Sequence, residues 1–284
     1  MYSFPIGAIV ESFRTDFDRA IEKAAQIGVE GLQLYTVKGE FSAENLSREK
    51  RKEILKKVKD KGLRFSALCG DFGVSFMHKE KNPEMIEKSK RVLELACELE
   101  TDIVTTHIGI VPEDETVERY SVMQDACFKL AEYADSLNAH FAVETGPEKS
   151  AVLKKFLDSL NSKGVAVNFD PANLRMSLDE DAVDAVYNLK DYIVHTHAKD
   201  GIIYELINNS YDYRLEEPPA GYFDKTYYKE VPLGVGQVNF PTYLKALESI
   251  GYKGFLTIER ECGDNPEKDI ERAVEFLRDV IKYY

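Results

Sequence analysis

The chain is poor in cysteine, and no two of its cysteines lie close together. Cys69, Cys97, Cys127 and Cys262 are scattered and form no CxxC pair. That spacing excludes a zinc knuckle and a disulfide frame, and it points to reduced thiols. Cys97 and Cys127 fall among apolar residues in helical patterns, so core packing is expected for both. Basic residues are also scarce: 37 Lys and Arg against 50 Asp and Glu give a formal net charge of -13. Such a surface repels phosphate backbones and anionic membranes, so neither nucleic acid nor membrane is expected as a partner. Long apolar runs are missing, and none approaches the roughly 18–20 residues of a membrane span. The opening MYSFPIGAIV has no basic n-region and no small-residue cleavage site, so a cytoplasmic location is expected. No stretch of linker composition divides residues 1–284, which are read as one domain.

What the chain does have is an alternation of two periods. Short β-rich runs (GAIVESF, GLQLYTV, LRFSALCG, DIVTTHIG, HFAVETG, VAVNFDPAN, YIVHTHAKD and FLTIERE) recur with amphipathic helical stretches between them. That is the count and order of an α/β fold of the (β/α)8 TIM-barrel type. Asn82-Pro83-Glu84 and Asn265-Pro266-Glu267 each read as an N-cap, a proline at the first helical position and a favourable charge. Ser177-Leu178-Asp179-Glu180 fits a capping box before AVDAVYNL. One unit breaks the rhythm. After the seventh strand, an insertion at about 202–231, rich in tyrosine and acid, reads as a structureless loop above the catalytic face, a lid or a packing contact.

Four of the β-rich runs end in metal-competent side chains: Glu144 in VETGP, Asp170 in NFDPAN, His197 in HTHAKDG and Glu259 in TIERE. Side chains two apart on a strand face the same way, so His195 points with His197, Asn168 with Asp170, and Glu261 with Glu259. Pro171 holds Asp170 extended at the strand end. Any one of these residues alone is ordinarily a solvated rim charge or a helix cap. Four on successive strands converge on one sector of a barrel mouth. Crowded buried acids repel unless neutralised, and two glutamates, an aspartate and an imidazole suit one divalent ion: Mn²⁺ or Mg²⁺, with Zn²⁺ or Co²⁺ as further candidates.

HTHAKDG followed by PLGVGQVNFPTYLKALESIGYKGFLTIERE resembles the C-terminal signature of the xylose isomerase-like TIM barrels. Within them it is most similar to the sugar phosphate isomerase/epimerase branch, with its ketose 3-epimerases and inosose dehydratases. VETG and NFDPAN fall where that family places them, so the resemblance spans essentially the whole chain. It implies that Glu144, Asp170, His197 and Glu259 bind one divalent metal, and that Glu144 and Glu259 also exchange protons with substrate. Many epimerases carry a histidine three residues after the strand-six aspartate, whereas this chain has Asn173, which can bind a hydroxyl but cannot titrate.

Other positions are less defined by pattern. His107, in TTHIG, orients a substrate hydroxyl or is a buried structural histidine. Lys199 neutralises an enediolate, contacts a phosphate or pairs with a neighbouring acid. Gly234 and Gly236 read as N–H donors of a barrel phosphate site. Phe72, Phe76, Met77 and His78 line the pocket or pack as a loop, and His140, at a strand start, has no catalytic role. The expected activity is a metal-dependent isomerase or epimerase acting on a small sugar or polyol carbonyl compound through an enediolate. A dehydratase with the same site is the first alternative, and a remote one is an endonuclease IV-like nuclease. A non-catalytic sugar-binding barrel is disfavoured by the apparent retention of all four ligands, and the chain is compatible with a homo-oligomer.

Overall fold

All eight β-rich runs form strands of one closed, all-parallel barrel. They are Ile6–Ile9 (β1), Gly31–Tyr35 (β2), Arg64–Cys69 (β3), Ile103–Thr106 (β4), His140–Glu144 (β5), Val165–Phe169 (β6), Ile193–Ala198 (β7) and, after two strands outside the barrel, Leu256–Ile258 (β10). Their order around the barrel is β1-β10-β7-β6-β5-β4-β3-β2. The structure is a computed structural model that describes residues 4–206 and 226–283. Helices Phe17–Ile27 (α1), Arg48–Asp60 (α2), Asn82–Glu98 (α3), Glu118–Leu137 (α4) and Ser150–Leu160 (α5) follow the first five strands in turn. Pro171–Leu178 (α6) and Ala182–Leu189 (α7) follow β6, while Phe240–Ser249 (α8) and Pro266–Tyr283 (α9) flank β10.

The period-two pattern sorts residues between two environments. On β5 and β6, Phe141, Val143, Val165, Val167 and Phe169 belong to the apolar core. Alternation turns Ala142, Glu144, Ala166 and Asn168 the other way, so small residues line the barrel beneath the polar ends. The covering helices use the complementary 3.6 period, with Ile270, Ala273, Val274, Leu277 and Val280 of α9 all buried. Phe141 is fully buried, and its ring meets Phe76 edge-on at a centroid distance of 6.0 Å. Phe141→Ala is expected to cost about 3–5 kcal/mol in urea unfolding. A loss below about 1 kcal/mol would mean that the wall behind β5 collapses freely onto the cavity.

Several local expectations are corrected. Asn82 is not the cap of α3 but lies inside it, its side chain turned inward to donate to Phe76 O at 3.0 Å. Ser177 does not open a helix, because α6 already runs through it and ends at Asp179 in the left-handed region. The next helix starts at Asp181, whose carboxylate accepts from the amides of Val183 and Asp184. Asn265 does cap α9, accepting from Lys268 N at 3.2 Å. Cys127 is buried as expected, but Cys97 is exposed, because Leu95 and Ala96 take the inner face of that turn. The insertion is not structureless at its base. Asp200–Ile203 (β8) and Tyr228–Val231 (β9) pair antiparallel, since Ile202, Ile203, Tyr228 and Val231 supply strand-forming side chains. Its centre, 207–225, and with it the lid expectation, lies outside the described residues. Among the described residues, no helix is long and apolar enough to cross a membrane.

Candidate metal centre

Four consecutive barrel strands deliver one side chain each to a single point. Glu144 is the last residue of β5, His197 lies one residue before the end of β7, and Asp170 and Glu259 directly follow β6 and β10. Their relative exposures are 6% for Glu144, 0% for Asp170, 1% for His197 and 7% for Glu259. One ligand atom from each lies within 4.8 Å of all the others. Asp170 is extended, as the following proline requires, and its Oδ1 accepts from Ala172 N at 2.8 Å and Asn173 N at 2.9 Å. That helix-capping role fixes the carboxylate and leaves its second oxygen aimed at the cluster.

The geometry fits a cation. Asp170 Oδ2 is fully buried without a hydrogen-bond partner among the described residues, a costly arrangement for a carboxylate oxygen unless something binds it. His197 Nδ1 stands 3.4 Å from Glu144 Oε2, 3.2 Å from Glu259 Oε2 and 3.9 Å from Asp170 Oδ2. On the far side of the ring, Gln33 Oε1 lies 3.1 Å from Nε2. A proton on Nε2 satisfies that carboxamide and leaves the Nδ1 lone pair facing the carboxylates, which is the tautomer a metal needs. Three carboxylates and one imidazole can therefore hold one metal ion.

In the metal-free protein, protons and Lys199 balance the acids. Burial opposes a charged His197, but the carboxylates of Glu259 and Glu144 outweigh it and hold the pKa well above the usual imidazole range. Burial lifts the Asp170 carboxyl to about 6. Burial also works against ionised Glu259, yet Lys199 and His197 hold its pKa below the ordinary carboxylate value. The Lys199 ammonium is buried 3.0 Å from Glu259 Oε2, 2.7 Å from Glu261 Oε2 and 4.0 Å from Asp170 Oδ2. It therefore pairs with acids, the structural role weighed for it from sequence, at the edge of the centre.

The other residues singled out from sequence divide into those at the centre and those apart from it. Asn173 Nδ2 donates to Glu144 Oε1 at 2.8 Å. His107 Nε2 faces the same oxygen at 3.7 Å, while its Nδ1 meets Asp71 Oδ2 at 2.9 Å. A cavity of ≈ 480 Å³ lined by Asp71, Ser75, His78, Lys81 and His107 opens beside this pair. His78 thus belongs to the pocket wall, whereas Phe76 and Met77 are buried. His195 packs edge-on against His197 with ring centroids 5.9 Å apart, and burial keeps its pKa well below the usual value. His140 opens β5 and bonds Lys163 O at 2.9 Å, at the opposite end of the strand from Glu144. A larger cavity of ≈ 700 Å³ lies between α3 and α4 and includes none of the centre's residues.

Two contributors, Gln33 and Asp71, were not singled out by sequence, and Asn168 was placed only on the face of Asp170, with no role of its own. Asn168 Nδ2 donates to Glu144 Oε2 at 3.1 Å, from two residues before Asp170 on the same face. The signal for Gln33 was a lone amide inside the apolar run GLQLY. The phosphate-site reading of Gly234 and Gly236 is corrected. Both amides donate to Asp200 Oδ2, at 3.0 and 2.9 Å, so the chain's own carboxylate fills the position that an anion would take.

Residues 21–280 match the family model described as xylose isomerase-like TIM barrel. The chain belongs to that family. Its curated relatives include an uncharacterised protein of Methanocaldococcus jannaschii, 24% identical over 207 residues, 68% of this chain and 59% of the relative. The chain thus spans less than two thirds of that relative's length. Among solved structures, a xylose isomerase domain protein from Planctomyces limnophilus has 24% identity and a TM-score of 0.79, covering 99% of this chain and 97% of its own. A probable 3-DHS dehydratase from Bacillus anthracis has 20% identity and a TM-score of 0.73, over 96% and 98% of the two chains. A 3-keto-D-glucoside 4-epimerase from E. coli has 14% identity and a TM-score of 0.71, over 97% and 99%. At these identities the likenesses establish a shared barrel.

Proposed function

We propose that this xylose isomerase-like barrel is a divalent-metal-dependent isomerase or epimerase of a sugar or related polyol carbonyl compound. One observation carries the reading. Two buried glutamates, Glu144 and Glu259, flank the Asp170 and His197 pair, and each has a carboxylate oxygen within 3.4 Å of His197 Nδ1. A bound Mn²⁺ or Mg²⁺ would supply the positive charge that acidifies a C–H next to a carbonyl. Glu144, Asp170, His197 and Glu259 would hold that ion. One glutamate removes the proton to leave an enediolate, and the other returns a proton, from the opposite face for epimerisation.

The environments divide the labour. Glu259 is fastened by an ammonium group, Lys199 Nζ, whereas Glu144 accepts from the neutral amides of Asn173 and Asn168. A carboxylate paired with a fixed cation is the weaker base, so Glu144 is the better first acceptor. His107, oriented by Asp71, and Lys199 would hold substrate oxygens at the rim. The small-molecule substrate and the acidic surface suit a cytoplasmic enzyme, alone or as a homo-oligomer.

Incubation with candidate ketoses in D₂O tests proton transfer. Turnover is expected to place deuterium on the substrate carbon, and product free of deuterium would instead favour a hydride shift. The barrel likeness to the dehydratase supports a second reading, in which the same deprotonation is followed by loss of a β-hydroxyl. An enone-type absorbance that grows as substrate disappears would select it.

A further inference from the structure

Strand β10 stops at Ile258, so Glu259 stands just beyond the barrel ladder. Its amide still reaches Ala198 O of β7 at 3.2 Å, but Arg260, Glu261 and Cys262 lie in no strand, and side chains hold their main chain instead. Ser12 Oγ accepts from Arg260 N at 3.1 Å, and the Arg14 guanidinium donates to Glu261 O and Gly263 O, both at 2.6 Å. A further anchor is Glu230, buried on β9 opposite Gly201 of β8. Its Oε1 accepts from Arg260 Nη1 and, at 3.4 Å, from Cys262 N, and both its oxygens lie 3.2 Å from Glu261 N. Arg260 is buried too, and its Nε donates to Asp269 Oδ2 of α9 at 2.9 Å.

Two features set this anchor apart from an ordinary loop tie. Its hairpin leaves directly from β7, so the base of the insertion bridges the strands that carry His197 and Glu259. The amide it holds also belongs to Glu261, whose Oε2 takes Lys199 Nζ at 2.7 Å, while the same ammonium binds Glu259 Oε2 at 3.0 Å. Desolvation offsets much of the attraction in a buried ion pair, so the Arg260–Glu230 pair is better suited to fixing one geometry than to adding stability. We propose that Glu230 is a positioning residue of the metal centre: through Arg260 and the amides of Glu261 and Cys262, the base of the insertion holds Glu259 in place to bind the ion. This role rests on the metal reading of the centre and goes beyond it by tying the insertion to the ion. Residues that orient a ligand from behind commonly govern metal affinity by one to two orders of magnitude.

Glu230→Gln keeps the shape of the side chain but removes the charge that Arg260 faces, while Asp269 still holds the guanidinium from α9. The test is calorimetric titration of the full chain with Mn²⁺, at a temperature where circular dichroism shows each variant folded. Glu230→Gln is expected to bind Mn²⁺ roughly tenfold or more weakly than wild type. Asp269→Asn loosens Arg260 from α9 but leaves Glu230 on the amides of Glu261 and Cys262, so it should lower Tm and keep Mn²⁺ affinity close to wild type. Equal affinity losses in the two variants would overturn the proposal, since loosening anywhere around Arg260 would then suffice. Where Glu230→Gln does not fold, Arg260→Lys decides, because it keeps the charge without the forked contact to Glu230 and Asp269. Weaker Mn²⁺ binding there supports the anchor, and unchanged binding overturns it. A wild-type protein that takes up no Mn²⁺ removes the metal reading and this role together, whereas equal Mn²⁺ affinity in wild type and Glu230→Gln removes the role alone.

Discussion

Glu144→Gln is expected to lose turnover by a factor of about 10³ or more, and metal with it, while the barrel stays folded. General acid–base catalysis alone accounts for about 10²–10⁴. The geometry makes this substitution harsher than its near-identical shape suggests. Glu144 Oε1 accepts from Asn173 Nδ2 at 2.8 Å, and Oε2 accepts from Asn168 Nδ2 at 3.1 Å. Glutamine would set an NH₂ donor against one of those donors, so one buried amide loses its partner as the negative charge disappears. Glu259→Gln removes a charge too, but there Lys199 keeps Glu261 at 2.7 Å. The two variants should therefore differ. Both lose activity, but Glu144→Gln also destabilises the metal-free protein, while Glu259→Gln leaves Lys199 partly paired. Steady-state kinetics on a turned-over ketose, metal content and Tm separate these effects. Full activity in both variants would remove the glutamates from the mechanism.

The barrel was legible because its signals are local: each strand and helix carries its own period, and short connections leave little choice of order. The four central residues were legible for the same reason, since each sits at the end of its own strand. Gln33 was not, because its role depends on β2 lying across the closed barrel from His197, 164 residues away. Asp71 shares that difficulty, since only the fold brings it to His107. The cap at Ser177 was misplaced because Asp181, four residues on, satisfies the same capping rule, and Asn82 was misplaced because its side chain turns inward to Phe76 O, leaving α3 without a side-chain cap. Gly234 and Gly236 show a subtler limit. Two glycines before a helix announce an amide nest, but the pattern is the same whether the anion comes from a ligand or from Asp200.

Removing the metal is expected to abolish turnover, and metal affinity is expected to rise with pH. Without the ion, burial opposes an imidazolium at His197, yet Glu259 and Glu144 keep its pKa well above the ordinary imidazole value. Burial also raises Asp170 from 3.8 to about 6. Glu144 and Glu259 are shifted down and remain ionised across neutral pH. Metal must therefore displace the proton from His197 Nδ1 near pH 7, and a second from Asp170 as pH falls through about 6. One released proton makes affinity change about tenfold per pH unit, and two make it about a hundredfold. The stability sign follows. Both raised pKa values stabilise the metal-free protein at low pH. The Asp170 share is fully present below its unfolded value of 3.8 and gone above about 6, and the His197 share is lost only above its raised folded pKa. The loaded protein needs both groups deprotonated, so its advantage in Tm over the metal-free form should widen from acid towards pH 8. Calorimetry of Mn²⁺ or Mg²⁺ binding in buffers of different ionisation enthalpy counts the protons directly. Binding without proton release, or a Tm difference that narrows as pH rises, would take His197 out of the ligand set and leave an all-carboxylate site.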